Sequence, residues 1–150
     1  MDELRSHLMP LLPQLPLKLE NRHLDLLQLH FELMLKWNRK ISLTSITSPK
    51  DAALLHYFES LFAASLISED VASLADLGSG AGLPGIPIAI ALPWLQVTLV
   101  DSDSRKAAFL GECRRRLQLP NLSVINCRLP NLTTPFNAYS CRALERFTQL

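Results

Sequence analysis

Glycine is scarce: the chain has five in 150 residues, and four of them lie between residues 78 and 85. The backbone freedom that glycine supplies is therefore concentrated at one point instead of being spread over many turns. Cysteine is scarcer still. Cys113, Cys127 and Cys141 are an odd set without CxxC spacing, which excludes a disulfide framework and a zinc ribbon. All three are expected to be small buried apolar residues in a reducing compartment. No segment approaches the roughly 20 uninterrupted apolar residues of a membrane span, and Met1-Asp2-Glu3 lacks the basic region of a secretory signal. A soluble cytoplasmic protein without membrane association is expected. An excess of one charge is also missing, since 15 Lys and Arg face 14 Asp and Glu, a net charge of +1. That balance selects no partner by itself. The basic excess lies in the second half, where a polyanion would be met. Internal repeats and low-complexity runs do not occur.

Apolar residues, by contrast, make up 48% of the chain, enough for one domain with a sizeable core. Residues 1–70 read as helical. Leu24, Leu27, Phe31 and Met34 recur at helical spacing within Asn21–Trp37. Ser48-Pro49-Lys50-Asp51 carries the signals of a helix start, and that helix is expected to run towards Leu66. The pattern changes at Ser73. Leu74–Leu77 predicts a buried strand, residues 86–92 a helix stopped by Pro93, and Val97–Val100 a second strand ending at Asp101. A helix capped by Ser104 and ended by Pro120 follows, then strands at Leu122–Ile125 and Ala138–Cys141. Alternation of strand and helix implies an α/β fold with parallel βαβ units.

The chemistry is expected at Asp76-Leu77-Gly78-Ser79-Gly80-Ala81-Gly82-Leu83-Pro84-Gly85, which joins the first strand to its helix. Such a turn, at the carboxyl end of a central parallel strand, is where nucleotide ligands bind. Two ligand classes fit the spacing. Gly80-x-Gly82-x-x-Gly85, with Asp101 placed 21 residues after Gly80, is a dinucleotide fingerprint. Gly78-x-Gly80-x-Gly82 with Asp76 ahead of it is a methyltransferase pattern, in which Asp76 would stand near the amino acid half of S-adenosylmethionine. Asp76 would repel a pyrophosphate, and Pro84 and Pro87 remove amide donors from the first helical turn. Both features favour a ligand without phosphates. Asp101 suits the ribose hydroxyls of either ligand or, alternatively, a helix cap.

These residues resemble the RsmG (GidB) family, guanine-N7 methyltransferases of small-subunit (16S) ribosomal RNA. The resemblance also covers Trp37-Asn38-Arg39-Lys40, Leu43-Thr44-Ser45-Ile46, His56, Ser60-Leu61, Thr98 to Ser102, Lys106, Phe109-Leu110, Arg128 and Arg142-Ala143. It implies a Rossmann-like class I methyltransferase fold, with residues 1–70 an N-terminal helical segment and 71–150 a partial S-adenosylmethionine-binding domain, one compact unit overall. Gly78 and Leu83 would line the cofactor site, Leu129 and Pro130 would flank the adenine, and Arg142 would reach the site from the fourth strand, unless it pairs with Glu145 or Asp101. Ser42, Glu59 and Asn137 stand where Asn, Asp and Asp are usual, and Pro130 replaces a usual acid. The class continues through three more strands, so a chain stopping at Leu150 reads as truncated after the fourth. That strand is expected to border the first and to form an edge, with Ala138, Tyr139 and Cys141 poorly covered.

Guanine N7 carries no proton, so methyl transfer to it is catalysis by positioning, and no residue is assigned as acid or base. His7, His23, His30 and His56 show no metal spacing, and no metal is expected. Arg39, Lys40, Arg105 and Lys106 are candidates for RNA phosphates; Arg114-Arg115-Arg116 points three ways around a helix. Trp37 is expected to pack within the helical segment. The partner implied is ribosomal RNA or the small ribosomal subunit. The alternatives are an NAD-binding oxidoreductase fragment and a non-catalytic remnant that binds nucleoside or RNA.

Overall fold

The computed structural model describes residues 2–142. Helix α1 (Glu3–Leu8) passes into a 3-10 segment at Met9–Gln14, which carries Pro10 and Pro13. Helix α2 spans Asn21–Asn38 and buries Leu24, Leu27, Phe31 and Met34 as the periodicity requires. Its start is a capping box that the sequence did not advertise. Glu20 accepts from the third helical amide, and His23 Nδ1, in the place usual for Glu or Gln, accepts from the Glu20 amide at 2.9 Å.

Ser48 caps α3 (Pro49–Ala52) as expected, its hydroxyl accepting from Asp51 N at 3.2 Å. The helix widens into a π-helical turn at Ala53–Phe58 before continuing as α4 (Glu59–Ser65).

Four parallel strands follow: β1 (Ser73–Leu77), β2 (Gln96–Asp101), β3 (Leu122–Asn126) and β4 (Ala138–Cys141), in the order β3-β2-β1-β4. Helices α5 (Gly85–Ala91) and α6 (Ser104–Leu117) make the crossovers. Leu74, Asp76, Val97 and Leu99 share one face of the sheet by register, and α5 and α6 cover it. Helices α2 and α4 pack on α5, and α2 also on α6. Trp37 packs against Phe109 of α6 in a tilted arrangement, ring centroids 5.7 Å apart, so it joins the helical segment to the crossover helix.

Several expectations need correction. Asp103, not Ser104, caps α6, accepting from the amides of Arg105 and Lys106. That helix ends at Gln118, whose left-handed backbone (φ 52°) turns the chain before Pro120 is reached. Only Cys113 is fully buried; Cys127 is half-buried and Cys141 exposed, because β4 is the outermost strand among the described residues. As expected, β4 borders β1, and Tyr139 is 56% exposed on it.

The lower end of the sheet is tied by one buried amide. Asn121 Nδ2 donates to the carbonyls of Ala89, Leu92 and Leu95 at 2.9–3.2 Å, closing the end of α5 onto the start of β2. Asn121→Ala would take this donor from all three carbonyls, of which only that of Leu92 keeps another, the Leu95 amide. The expected loss is about 3 kcal/mol in denaturant unfolding, with ligand affinity at the other end of the sheet unchanged.

Candidate functional site

The turn after β1 is shaped by Gly78, Gly80 and Gly82, all at positive φ (66°, 54° and 85°). Two glycines are needed for space as well. A Cβ on Gly82 would lie 2.5 Å from Ile86 Cδ1, and one on Gly85 would lie 2.6 Å from Asp76 Oδ2 and 2.4 Å from a Leu99 methyl. The loop therefore closes over the carboxylate that precedes it.

Asp76 is 1% exposed. Its Oδ2 accepts from Ser79 Oγ at 2.9 Å and Gly85 N at 3.1 Å, and its Oδ1 accepts from Ser140 Oγ of β4 at 2.9 Å. Burial raises its pKa from the ordinary 3.8 to about 6; the bonds from Ser140, Ser79 and Gly85 oppose that rise, and the Asp101 charge adds to it. The carboxylate expected to face a ligand is thus spent inside the protein, as a brace beneath the loop.

Asp101 is used similarly. Oδ2 accepts from Gly80 N at 2.8 Å and Oδ1 from Asp103 N at 2.9 Å. It is not the cap of α6, and it holds the loop from the β2 side. Four further amides of the loop and helix start are engaged: Ser79 with Val100 O, Gly82 and Leu83 with Ser79 O, and Ile86 with Gly82 O. A pyrophosphate needs free amides at a helix start, and here they are committed to protein oxygens. This occupancy, together with Pro84 and Pro87, opposes a dinucleotide. Repulsion by Asp76 is not the reason, because Asp76 lies behind the loop.

Two cavities open at this end of the sheet. One, of about 340 Å³, is lined by Gly78, Ser79, Gly80, Ala81 and Leu83 of the loop, by Leu43, Thr44, Ser45 and His56 of the helical segment, and by Arg142. The other, of about 200 Å³, is bounded by Leu77, Leu129, Pro130, Leu132, Thr134 and Tyr139. Leu77 and Gly78 are neighbours in the chain, so both cavities border the end of β1. Gly78, Gly80, Leu83 and Arg142 line the first and Leu129 and Pro130 the second. Asp76, Gly82 and Asp101 line neither and support the loop. A larger groove of about 530 Å³ lies at the opposite end, between α2 and residues 117–121, away from the loop.

Arg142 does not pair with Asp101. It donates to the Leu55 carbonyl and meets Glu59 at 3.3 Å, while Glu145 lies outside the described residues. The helical wall holds the groups that the spacing of the sequence did not single out. His30, fully buried, donates from Nε2 to the Ala81 carbonyl at 2.8 Å and accepts from Tyr57 Oη at Nδ1, also at 2.8 Å. Burial lowers its pKa to about 4, so the ring is neutral and the tautomer follows from its partners. His56 meets Thr44 Oγ1 at 2.9 Å, and burial, followed by the nearby Arg142 charge, lowers its pKa to about 4. Among the described residues no group of three or more His, Cys, Asp or Glu is placed to hold a metal ion.

The raised Asp76 pKa has a definite sign. Between about pH 4 and 6 the unfolded state releases this proton first, so this group's contribution to stability falls as pH rises through that window, by about 3 kcal/mol. Asp76→Asn keeps an acceptor for Gly85 and Ser79 and lets the Ser140 hydroxyl rotate to accept. The variant is expected to match the wild type near pH 4 and to exceed it by up to about 3 kcal/mol at pH 7, in urea titrations across that range. A constant difference between the two would show that Asp76 is not held as described.

Comparison with known proteins points to one family. The family model described as rRNA small subunit methyltransferase G (GidB) matches residues 13–150. The chain is 44% identical over 131 residues to ribosomal RNA small subunit methyltransferase G of Xylella fastidiosa (strain M23), covering 86% of this chain and 61% of the relative. It is 36% identical over 141 residues to the protein of that name from Bacillus velezensis, covering 89% of this chain and 59% of the relative. For the Pseudomonas entomophila protein the figures are 36% over 140 residues, 90% and 65%. The chain spans about three fifths of the length of these relatives. With the family match running from residue 13 to residue 150, the chain belongs to the rRNA small subunit methyltransferase G (GidB) family.

Proposed function

We propose that this protein takes S-adenosylmethionine at the end of β1 and directs its methyl group to N7 of a guanine in small-subunit ribosomal RNA. The observation that carries the reading is the glycine loop: it lines a cavity, yet the amides of Ser79, Gly80, Gly82, Leu83, Gly85 and Ile86 are committed to protein oxygens, which suits a ligand without phosphates. Gly78, Gly80, Leu83 and Arg142 would hold the amino acid half, Asp101 the ribose with lone pairs left over from Gly80 and Asp103, and Leu129 and Pro130 the adenine. Pro130 can pack on a ring but offers neither a carboxylate nor an N–H to it.

When bound, the cofactor supplies an electrophilic methyl group. The protein's own task is alignment, since guanine N7 presents a bare lone pair. The neutral state of His30 and His56 is consistent with a site that moves no proton.

RNA is the partner this reading implies, met in a cytoplasm where ribosomes are made. Helices α2 and α6 run antiparallel, since Trp37 meets Phe109 while Arg22–Leu29 border Leu117–Asn121. Arg39 and Lys40 therefore stand at the same end as Arg105 and Lys106, the end that carries the glycine loop. Lys36, Trp37, Lys40 and Glu112 also share a cavity of about 340 Å³ there. The Arg114–Arg116 run contributes less, because Arg114 bonds the Leu122 carbonyl and Arg115 and Arg116 pair with Glu112. Among the described residues no helix is long and apolar enough to cross a membrane.

Calorimetry should register S-adenosylhomocysteine and not NAD. Small-subunit RNA incubated with the protein and S-adenosylmethionine should then yield 7-methylguanosine on nucleoside digestion and mass spectrometry. NAD binding without any response to S-adenosylhomocysteine, or a methyl group on another atom, would contradict the proposal.

A further inference from the structure

Asp76 and Asp101 hold the glycine loop from the sheet, but one of its groups is held from the helical layer. The Ala81 carbonyl accepts from His30 Nε2 at 2.8 Å, across 51 residues of sequence. Among the described residues no other donor reaches that oxygen. The N–H of the same peptide unit, that of Gly82, donates to Ser79 O at 2.7 Å. The Ala81–Gly82 peptide is therefore pinned through both of its polar groups, one from inside the loop and one from α2. Gly80 and Gly82 stand on either side of Ala81 with φ of 54° and 85°, and glycine backbone turns at little steric cost. Without its pins this peptide would be the easiest part of the cavity wall to rotate, and Ala81 lines that wall.

The chemistry of the contact is settled by its partners. A carbonyl can only accept, so His30 Nε2 carries the hydrogen. Burial keeps the ring neutral, with a pKa of about 4, so Nδ1 is a bare lone pair. Tyr57 Oη, 2.8 Å away, donates to it, and burial raises the Tyr57 pKa, so the phenol keeps its proton. Both ring nitrogens are thus spent on the protein, and the residue has no exposed surface. Whatever His30 does to a ligand passes through the loop.

An apolar side chain would fill the same space between Tyr57 and Phe109 without burying polar atoms. Burying a polar ring costs free energy that its hydrogen bonds must offset, so the reason for it lies in what those bonds hold.

We propose that His30 is a positioning residue for the cofactor, its Nε2–H setting the Ala81–Gly82 peptide in the orientation that gives the cavity its binding shape. The inference rests on the methyl-transfer reading and adds to it the group that prepares the loop. A loop whose amides are committed to protein oxygens recognises its ligand by shape, and a shape built on glycines at positive φ depends on its anchors. An anchor in place before binding removes part of the ordering cost of binding. The effect falls on cofactor affinity and spares the transfer step, since a bound cofactor holds the loop itself.

The test compares the wild type with His30→Gln, His30→Asn and His30→Leu, with S-adenosylhomocysteine as the binding probe, at a temperature where urea titrations show each protein folded. His30→Gln places an amide N–H near the position of Nε2, within reach of Ala81. His30→Asn places its amide near Nδ1, within reach of Tyr57 and short of Ala81. Each leaves one buried partner unsatisfied, so both should lose stability to a similar degree. The Kd for S-adenosylhomocysteine should rise roughly 5- to 20-fold in His30→Asn and His30→Leu and stay within about threefold in His30→Gln. The KM for S-adenosylmethionine should follow the Kd, while kcat on small-subunit RNA at saturating cofactor stays within about twofold. Equal affinities in His30→Gln and His30→Asn, or a fall in kcat with Kd unchanged, would overturn the inference. A second measurement needs no variant. If the pinned loop favours the ligand, the ligand favours the pinned loop by the same factor. Exchange of the His30 Nε2–H with water, followed by NMR, should therefore slow by roughly fivefold or more when S-adenosylhomocysteine is bound. An unchanged rate overturns the inference even if no variant folds. A wild type that binds no S-adenosylhomocysteine overturns the methyl-transfer reading and this inference with it, whereas a wild type and a His30→Asn variant that bind it equally overturn this inference alone.

Discussion

The Asp76 carboxylate is sealed beneath the glycine loop, and the site depends on how its oxygens are satisfied. Its three donors come from the loop, from the first residue of α5 and from β4. One side chain thereby ties the end of β1 to the glycine loop, to α5 and to β4. The close approach of Gly85 is part of the same arrangement, since any side chain there would strike Asp76 and Leu99. Burial works against the charged form and the donors work for it, and the balance leaves the group mostly ionised at pH 7. Because Asp76 and Asp101 hold the Gly85 and Gly80 amides, the loop offers a ligand its shape more than its backbone donors.

The helical layer is part of this site and does more than cover it. His30 fixes the Ala81 carbonyl from α2, while Thr44 and His56 form the wall across from the loop. Both rings are neutral in the folded protein, with pKa values lowered from 6.5 to about 4. Their contribution to stability is therefore complete above about pH 6.5 and declines as pH falls towards 4. Over that range the carboxylate below the loop and the rings above it push stability in opposite directions.

The order of strands and helices was legible because each signal was local. Short apolar runs marked the strands, helical spacing marked α2 and α6, and the glycine cluster marked the ligand end. Neighbouring cap candidates were less readable: Asp103 and Ser104 both suit a helix start, and only the backbone geometry selects Asp103. Gln118 taking a left-handed turn before Pro120 had no composition signal. Asp76 is marked by its place before the glycines, but spacing does not say whether a carboxylate points at a ligand or under the turn; the fold turns it under the loop. His30 and His56 carried no spacing signal at all. Their roles arise from contacts 51 residues apart in one case and from a π-helical turn in the other.

The two cavities bordering Leu77 and Gly78 divide the expected ligand residues between them, with Arg142 in one and Leu129 and Pro130 in the other. The account predicts that a ligand lies across both while the brace beneath it stays intact. A crystal structure with S-adenosylhomocysteine at pH 7 tests this directly. Asp76 should retain Ser79, Gly85 and Ser140 as its partners and make no contact with the ligand, whose amino acid half should lie beside Gly78 and Arg142. An Asp76 carboxylate bonded to the ligand's ammonium group, with Gly85 released, would contradict the account.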